Sequence, residues 1–531
     1  MYYFRNFDKQ ADAIGVKAYI PTVATLEGMN KVCFGVGDVS NDYEFIEDGD
    51  FIKIGETKET RLICTYNVTS TTEATKLTLY SEQFTAMEVD GIDVNVADSY
   101  TFTTTGEHNV KYTLKNETFL RYQLFAGCEN LTSVIIPDSV TTINDLAFYN
   151  CINLTSITFP SNIDTIGYHS FQYTPWYKTY IADTANQYGN IIYISNVAYV
   201  AVNTSITECD FKEGTLGVAQ YAFKDCTKIT NVTIPDSVKS IVSGAFEGCT
   251  GITSVTIGNG VTKLGSYAFN GCSAITSVVI PNSVTSIGSY AFANCTSIAS
   301  LIIPNSVTII DTAAFGGCTS LSSIIIPDSV AYINTGAFSN TPWYTSYSAD
   351  SAHQYDNIIY INTVAYQATS TSITSCEFKE NTTYIPATLL KNCTKLTSIT
   401  IPNSVTDIGA EAFYGCSGLT SLTIGSGVKS IGKSAFYKCT GITSLIIPDS
   451  VTSIGQQSFY YCSSIASLTI GCGVETIGQY AFNYCSKLNS INYTGTVAQW
   501  GAITKADSWK PTTLSTINCS DGTCGPNDTV S

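Results

Sequence analysis

Nineteen cysteines and three histidines are the residues whose types could support metal, redox or nucleophilic chemistry in this chain. A zinc site needs thiolate and imidazole ligands clustered at short spacings. Twelve of the cysteines instead fall at 128, 151, 226, 249, 272, 295, 318, 393, 416, 439, 462 and 485, in steps of 23 residues broken twice by a step of 75. Such a comb gathers no ligand set. Stacked equivalents also point their side chains the same way rather than at each other, which disfavours disulfides between neighbours. The comb therefore reads as a column of buried thiols, with cysteine serving as a small apolar residue. Unpaired thiols on an exported protein would suit an oxygen-poor habitat; a thiol count on the unfolded protein that found mostly disulfides would end that hypothesis. "CSDGTC", Cys519 to Cys524, has a spacing that permits a local pair, and two unbonded thiols are the alternative.

The remaining candidates for chemistry are sparse. His108, His169 and His353 occupy no equivalent repeat positions and no metal-ligand spacing, so each is expected at the surface. "EDGD" at Glu47–Asp50 lacks the alternating oxygen ligands of a calcium loop and reads as a solvated turn. No Gly-rich phosphate loop opens a helix, and no nucleophile elbow occurs. No catalytic, cofactor-binding or metal residue is assigned, no cofactor is implied, and the chain is not expected to be an enzyme.

Aromatic residues form the second constellation. "YTPWYKTYIADTANQYGNIIYISNVAYVAVNTSIT" from Tyr173 returns 167 positions later as "NTPWYTSYSADSAHQYDNIIYINTVAYQATSTSIT" from Asn340. In each copy, "NIIYISNVAYVA" from Asn190 or "NIIYINTVAYQA" from Asn357 reads as two strands around a two-residue turn. The candidate ligand contacts are Trp176, Tyr177 and Tyr180 with their counterparts Trp343, Tyr344 and Tyr347. One reading is that these aromatics merely pin each hairpin to its neighbours after duplication of a larger block. The other is a pair of equivalent contact sites, since Trp and Tyr dominate interface hot spots and two sites on one scaffold gain avidity.

What must position all of these is a repeat. One unit reads "CTSIASLIIPNSVTIIDTAAFGG" from Cys295 and another "CTKLTSITIPNSVTDIGAEAFYG" from Cys393. The alternating apolar and polar residues before the proline predict a short strand with one buried face, which Pro then ends. "GNG", "GSG" and "GCG" from Gly258, Gly425 and Gly471 replace the Pro turn in three units. One unit cannot bury its own apolar residues, whereas stacked copies can. Each 75-residue step resolves as two coils and an insertion, at about 174–202 and 341–369, giving thirteen full coils. At roughly 4.8 Å per strand the array would be about 70 Å long. Its outward strand positions carry a column of serines, from Ser254 through Ser277, Ser300 and Ser323, beside threonines mixed with Ile and Val. That face is neutral, and could meet a protein or a glycan or simply keep the sheet soluble.

The 23-residue unit ending in A-F-x-x-C resembles the BspA-like, or Treponema pallidum type, leucine-rich-repeat family over about residues 105–500. The resemblance implies a right-handed solenoid with one strand per coil in a parallel sheet. It also implies a bacterial surface or secreted protein, since several members are associated with adhesion to host extracellular-matrix proteins or to other bacteria. No family ligand residues are defined sharply enough to carry over.

Charged residues are only 13% of the 531, and the net charge is −17. A phosphate-binding partner needs a Lys/Arg stripe, so the charge argues against nucleic acid or anionic membrane as a partner. No apolar run is long enough to span a bilayer, and "MYYFRNFDKQADAIG" lacks the apolar stretch of a secretory leader. The expected organisation is a segment of unknown fold at 1–55, a small β-sandwich-like module at 56–104, a β-rich leucine-rich-repeat solenoid at 105–490 and a C-terminal cap and tail at 491–531. "MEVDGIDV" supplies an Asp-Gly hairpin turn to the module, and Trp500 and Trp509 are the capping residues. The expected function is non-enzymatic binding or adhesion at a cell surface or after secretion, to matrix proteins or other cells. A carbohydrate-binding module built on the hairpin aromatics, and a structural spacer of an envelope or phage appendage, are the rival readings.

Overall fold

The computed structural model describes residues 61–116 and 118–526, together with five short strands, Tyr3–Arg5, Val16–Ala18, Phe34–Val36, Phe45–Asp48 and Phe51–Ile54. Most of segment 1–55, including Gly49 and Asp50 of the "EDGD" turn, lies outside the described residues. The chain forms two compact units, residues 1–162 with 169–182, and residues 163–168 with 183–531.

Both units are built from stacked coils. In the coil that starts at Cys295, the strand Ser300–Ile302 pairs in parallel with Ser323–Ile325 of the next coil. The pairing is in register, Ser300 with Ser323 and Ile302 with Ile325, because an identical repeat has only one register that keeps its apolar face inward. Leu301 and Ile324 point into the core while their neighbours face out. The resemblance implied one strand per coil; the structure has two. A second two-residue strand, such as Ile309–Ile310, pairs with Tyr332–Ile333 and forms its own parallel ladder. Its inward isoleucine, Ile310 or Ile333, is fully buried.

Behind the strands runs a column of phenylalanines. In the second unit Phe246, Phe269, Phe292 and Phe315 stack at 5.2, 5.3 and 5.6 Å with rings within 6° of parallel. In the first unit Phe125, Phe148 and Phe171 stack at 5.4 and 5.7 Å. Each ring buries about 1.5–3 kcal/mol of apolar surface. Backbone bonds join coil to coil beside the rings, as in Phe292 N to Ala314 O and Asn294 N to Gly316 O, both 2.8 Å. The residue preceding each cysteine of the 23-residue comb has positive φ, +74° at Gly271 and Gly317 and +58° at Asn294, so Gly and Asn recur there.

In the first unit the strands Leu62–Val68, Phe84–Val89 and Ile92–Val94 of the module expected at 56–104 share one six-stranded sheet with Gly106–Leu114 and two coil strands, while Thr75–Lys76 and Ser99–Tyr100 pair with each other in a separate two-stranded sheet. Leu62–Val68 pairs antiparallel with Gly106–Leu114 on one side and with Leu131–Ile135 on the other. Leu131–Ile135 in turn pairs in parallel with Ser156–Thr158. Asp90 and Gly91, both at positive φ, form the two-residue turn between Phe84–Val89 and Ile92–Val94.

Candidate binding surface

The thiols carry no reactive site in the coils. Fifteen of the described cysteines are buried. Within the comb eight of the twelve Sγ atoms donate to the carbonyl of the preceding coil's phenylalanine, as Cys272 does to Phe246 O at 3.1 Å and Cys295 to Phe269 O at 3.2 Å, while Cys128, Cys226, Cys393 and Cys416 donate to the carbonyls of Leu77, Asn203, Ser370 and Leu390. Burial pushes Cys272 and Cys318 up to about 12, so both stay protonated at neutral pH. Among the described residues no group of three or more His, Cys, Asp or Glu could hold a metal ion.

His169 and His353 are partly exposed, whereas His108 departs from the expected surface position. His108 is 7% exposed. Its Nδ1 lies 2.6 Å from Asp90 Oδ2, and its Nε2 lies 3.0 Å from the Thr104 carbonyl and 3.3 Å from Thr104 Oγ1. Asp, His and Thr in that order imitate a nucleophile relay. A carbonyl at Nε2 requires an N–H there, however, so that nitrogen cannot accept the hydroxyl proton. Burial raises the Asp90 carboxyl, and the bonds from His108 and from Asn109 N outweigh it, leaving the group below its usual value. The pair ties the Asp-Gly turn to the neighbouring strand. A histidine three residues after the run Thr103–Thr105 gave no sequence signal of that partner, which lies 18 residues away.

The aromatic insertions open with a helix that the hairpin reading missed. α1 (Pro175–Ala182) and α2 (Pro342–Ala349) begin at "TPWY". Thr341 caps α2 by accepting from Tyr344 N, and Pro342 sits in the first turn, where its missing N–H costs nothing. Thr174 accepts from Tyr177 N in the same way, at 3.0 Å. Thr-Pro before an aromatic run was the available signal. The hairpins then follow as Ile191–Ile194 with Val197–Ala201, and Ile358–Ile361 with Val364–Ala368.

None of the six candidate contacts is fully exposed. Trp176 packs on Phe171 at 4.9 Å, Phe159 at 5.3 Å and Tyr180 at 4.6 Å. Trp343 meets Phe338 at 4.9 Å and Tyr347 at 4.8 Å. Tyr344 stands edge-on to Tyr366 at 5.2 Å and donates to Gln367 Oε1 at 2.7 Å, and Tyr347 donates to Tyr360 O at 3.0 Å. Tyr177 and Tyr180 are half-buried. These rings work as splices in the coil stack. Phe338 N donates to Tyr366 Oη at 3.1 Å, where Phe315 N donates to the next coil's Ala337 O. The hydroxyl thus replaces the carbonyl that the interrupted repeat does not supply.

Two other surfaces remain open. On the strand face Val279, Ile302 and Ile325 are 72%, 66% and 60% exposed, at successive coils. Thr256 pairs directly with Val279, and Thr400 and Thr423 occupy the same position later in the chain. On the turn edge Tyr414, Tyr437 and Tyr460 stack at 4.6 and 5.1 Å, followed by Tyr484 with Tyr461 at 4.9 Å. Sequence reading overlooked this ladder, although a tyrosine directly after the coil phenylalanine recurs every 23 residues there. No helix among the described residues is long and apolar enough to cross a membrane.

Solved structures with related repeats include a leucine-rich repeat protein from Bacteroides ovatus, 24% identical over 79% of this chain and 90% of its own, TM-score 0.27. A leucine rich cell surface protein from Faecalibacterium prausnitzii is 25% identical over 88% of this chain and 97% of its own, TM-score 0.30. The leucine rich repeat protein of T. pallidum is 20% identical over 46% of this chain and 82% of its own, TM-score 0.22. A comparison with curated proteins finds no match. The model of the BspA type leucine rich repeat region matches residues 118–214, 216–345, 313–443 and 383–504. With coils of that period, buried Cys and Phe columns and a match over most of its length, the chain belongs to the BspA type leucine-rich-repeat family.

Proposed function

We propose that this protein is a non-enzymatic binding protein of a cell surface or its surroundings, acting as an adhesin toward host matrix proteins or other cells. The contact surface is the strand face around Val279, Ile302 and Ile325. The observation that carries this reading is the run of three aliphatic residues, each at least 60% exposed, on adjacent coils. The repeat tolerates threonine at that position elsewhere, so solubility alone would have kept it polar. Contiguous exposed apolar surface rimmed by small polar residues marks protein–protein contact sites. The serines beside it, Ser277, Ser300 and Ser323, add no charge that would need desolvation on docking. Membership of a repeat family with surface-associated members, one of them described as a cell surface protein in Faecalibacterium prausnitzii, supports the location.

Surface plasmon resonance against immobilised fibronectin, fibrinogen and whole bacterial cells tests this. Saturable binding to at least one of them is expected, weakened about tenfold or more in a Val279→Thr/Ile302→Thr/Ile325→Thr variant, since each buried aliphatic contributes about 1 kcal/mol or more. No saturable binding to any of them, or unchanged affinity in the variant, overturns it. A glycan array run in parallel separates the carbohydrate reading: retention that is lost in Trp176→Ala/Trp343→Ala would favour stacked sugars instead.

A further inference from the structure

We propose that Cys519 and Cys524 are a redox-active dithiol that closes into an intramolecular disulfide and fastens the last strand of the described chain to its neighbour. Thr516–Cys519 and Gly522–Cys524 are antiparallel, with Ile517 opposite Cys524 and Cys519 opposite Gly522. Cys519 is therefore on the same face as Cys524, one step along the diagonal. Their sulfurs are 4.0 Å apart. Both side chains are half-exposed and pack on the apolar core of the coils, and forming the bond closes their 4.0 Å separation to the ~2.0 Å of a disulfide. Cys416 and Cys439 also meet through a side-chain hydrogen bond, but both are buried, as are thirteen other described thiols, and Cys472 is exposed.

Burial, and then Cys524 and Asp521, push Cys519 up to about 11. The thiolate of one cysteine of the pair attacks one sulfur of a low-molecular-weight disulfide, and one thiol leaves. The thiolate of the other then attacks the mixed disulfide and expels the second thiol. Two protein thiols lose two protons and two electrons, and the reagent is reduced to two thiols.

The consequence is local. Gly522–Cys524 is the edge strand of its five-stranded sheet, and a cross-link across a two-residue turn prevents it from peeling away. Edge strands of this kind are templates for unwanted pairing.

The test uses the full native chain incubated with oxidised glutathione, then unfolded, alkylated with iodoacetamide and digested with trypsin. The peptide that begins at Ala506 holds both cysteines. It is expected to lack two hydrogens and carry no adduct, the buried coil cysteines to be alkylated, and Cys472, a single accessible thiol, to carry glutathione. Alkylation of both Cys519 and Cys524, retained glutathione on either, or a cross-link to Cys472 would overturn the pairing. Hydrogen exchange of Thr516–Cys524 should slow about tenfold on oxidation of the wild type and stay constant in Cys519→Ser/Cys524→Ser. A disulfide that forms without slowing exchange would overturn the fastening role.

Discussion

Trp176 and Trp343 stand 167 residues apart in near-copies of one segment, yet the first is 6% exposed and the second only half-buried. Locally the two are alike. The Trp–Phe contact is 4.9 Å in both, and the Trp–Tyr contact is 4.6 Å at 35° in one and 4.8 Å at 37° in the other. The hairpins share a bulge, between Ile192 and Tyr193 and between Ile359 and Tyr360. Tyr193 and Tyr360 each accept from a lysine N–H at 3.0 Å and lie under that lysine's ammonium at 4.5 and 4.4 Å. What differs is supplied from outside the copy. Phe159 lies on Trp176, whereas the residue 167 positions after Phe159 is Ile326. Local sequence thus sets the frame of each insertion, and the preceding coil sets the depth of its tryptophan.

The largest expected effect follows from that depth. Trp176→Ala should cost about 3–5 kcal/mol and Trp343→Ala about half as much, measured as shifts in urea midpoint. Because coil interfaces add roughly independently, each loss stays local to its insertion. Equal losses would break the comparison.

A second difference sits where the hairpin rejoins the coils. Val197–Ala201 pairs in parallel with Gly217–Val218, and the position equivalent to Gly217 in the second copy is Tyr384. A Cβ on Gly217 would meet the Asp164 carbonyl oxygen at 1.7 Å. Tyr384 instead packs edge-on to Tyr332 at 4.9 Å and donates to Asn334 Oδ1 at 3.3 Å. Gly217→Ala is expected to cost about 2–3 kcal/mol by forcing backbone apart, and Tyr384→Ala about 1–2 kcal/mol by removing contacts. Thermal unfolding of both variants checks the order; a neutral Gly217→Ala would show that the rejoining strand is not held there.

Tyr366→Phe probes the splice itself. It keeps the ring and removes the oxygen that accepts from Phe338 N. The buried N–H is then unsatisfied, at about 1–2 kcal/mol. Exchange of the Phe338 amide should accelerate while its neighbours hold; unchanged exchange would mean another acceptor takes over.

The repeat made most of the fold legible. Cys and Phe at a fixed period identify columns, and columns identify coils. The second strand of each coil was not legible, because two residues such as Ile309–Ile310 carry no alternation to read. The helices at Pro175 and Pro342 were hidden by the clearer hairpins behind them, although Thr-Pro marked their start. Exposure was readable on the strands, where alternation places the column of Thr256, Val279, Ile302 and Ile325 outward and Val278, Leu301 and Ile324, which are buried, inward. In the insertions it was not: aromatic residues there suggest either a contact surface or a pin, and Trp176 and Trp343 both pack on the phenylalanine that ends the preceding coil.

The smallest expected effect is also the most direct check of the comparison. Ile326→Phe gives the second copy the side-chain type that Phe159 provides to the first. If the preceding coil sets tryptophan depth, the added ring should cover Trp343 and raise stability by about 0.5–1.5 kcal/mol, the range for an aromatic pair beyond its area. The chain has four tryptophans, and Trp176, Trp500 and Trp509 are 6%, 0% and 3% exposed. Trp343 therefore dominates whatever fluorescence acrylamide can quench in the native protein. Ile326→Phe should reduce the quenchable fraction and shift emission to the blue, while Phe159→Ile should raise the fraction by exposing Trp176. Opposite shifts from the two exchanges would tie tryptophan depth to that one neighbour. A quenchable fraction unmoved by both would transfer the cause to the insertions themselves, to the pairs Asn186/His353 and Val200/Gln367 at which the copies also differ.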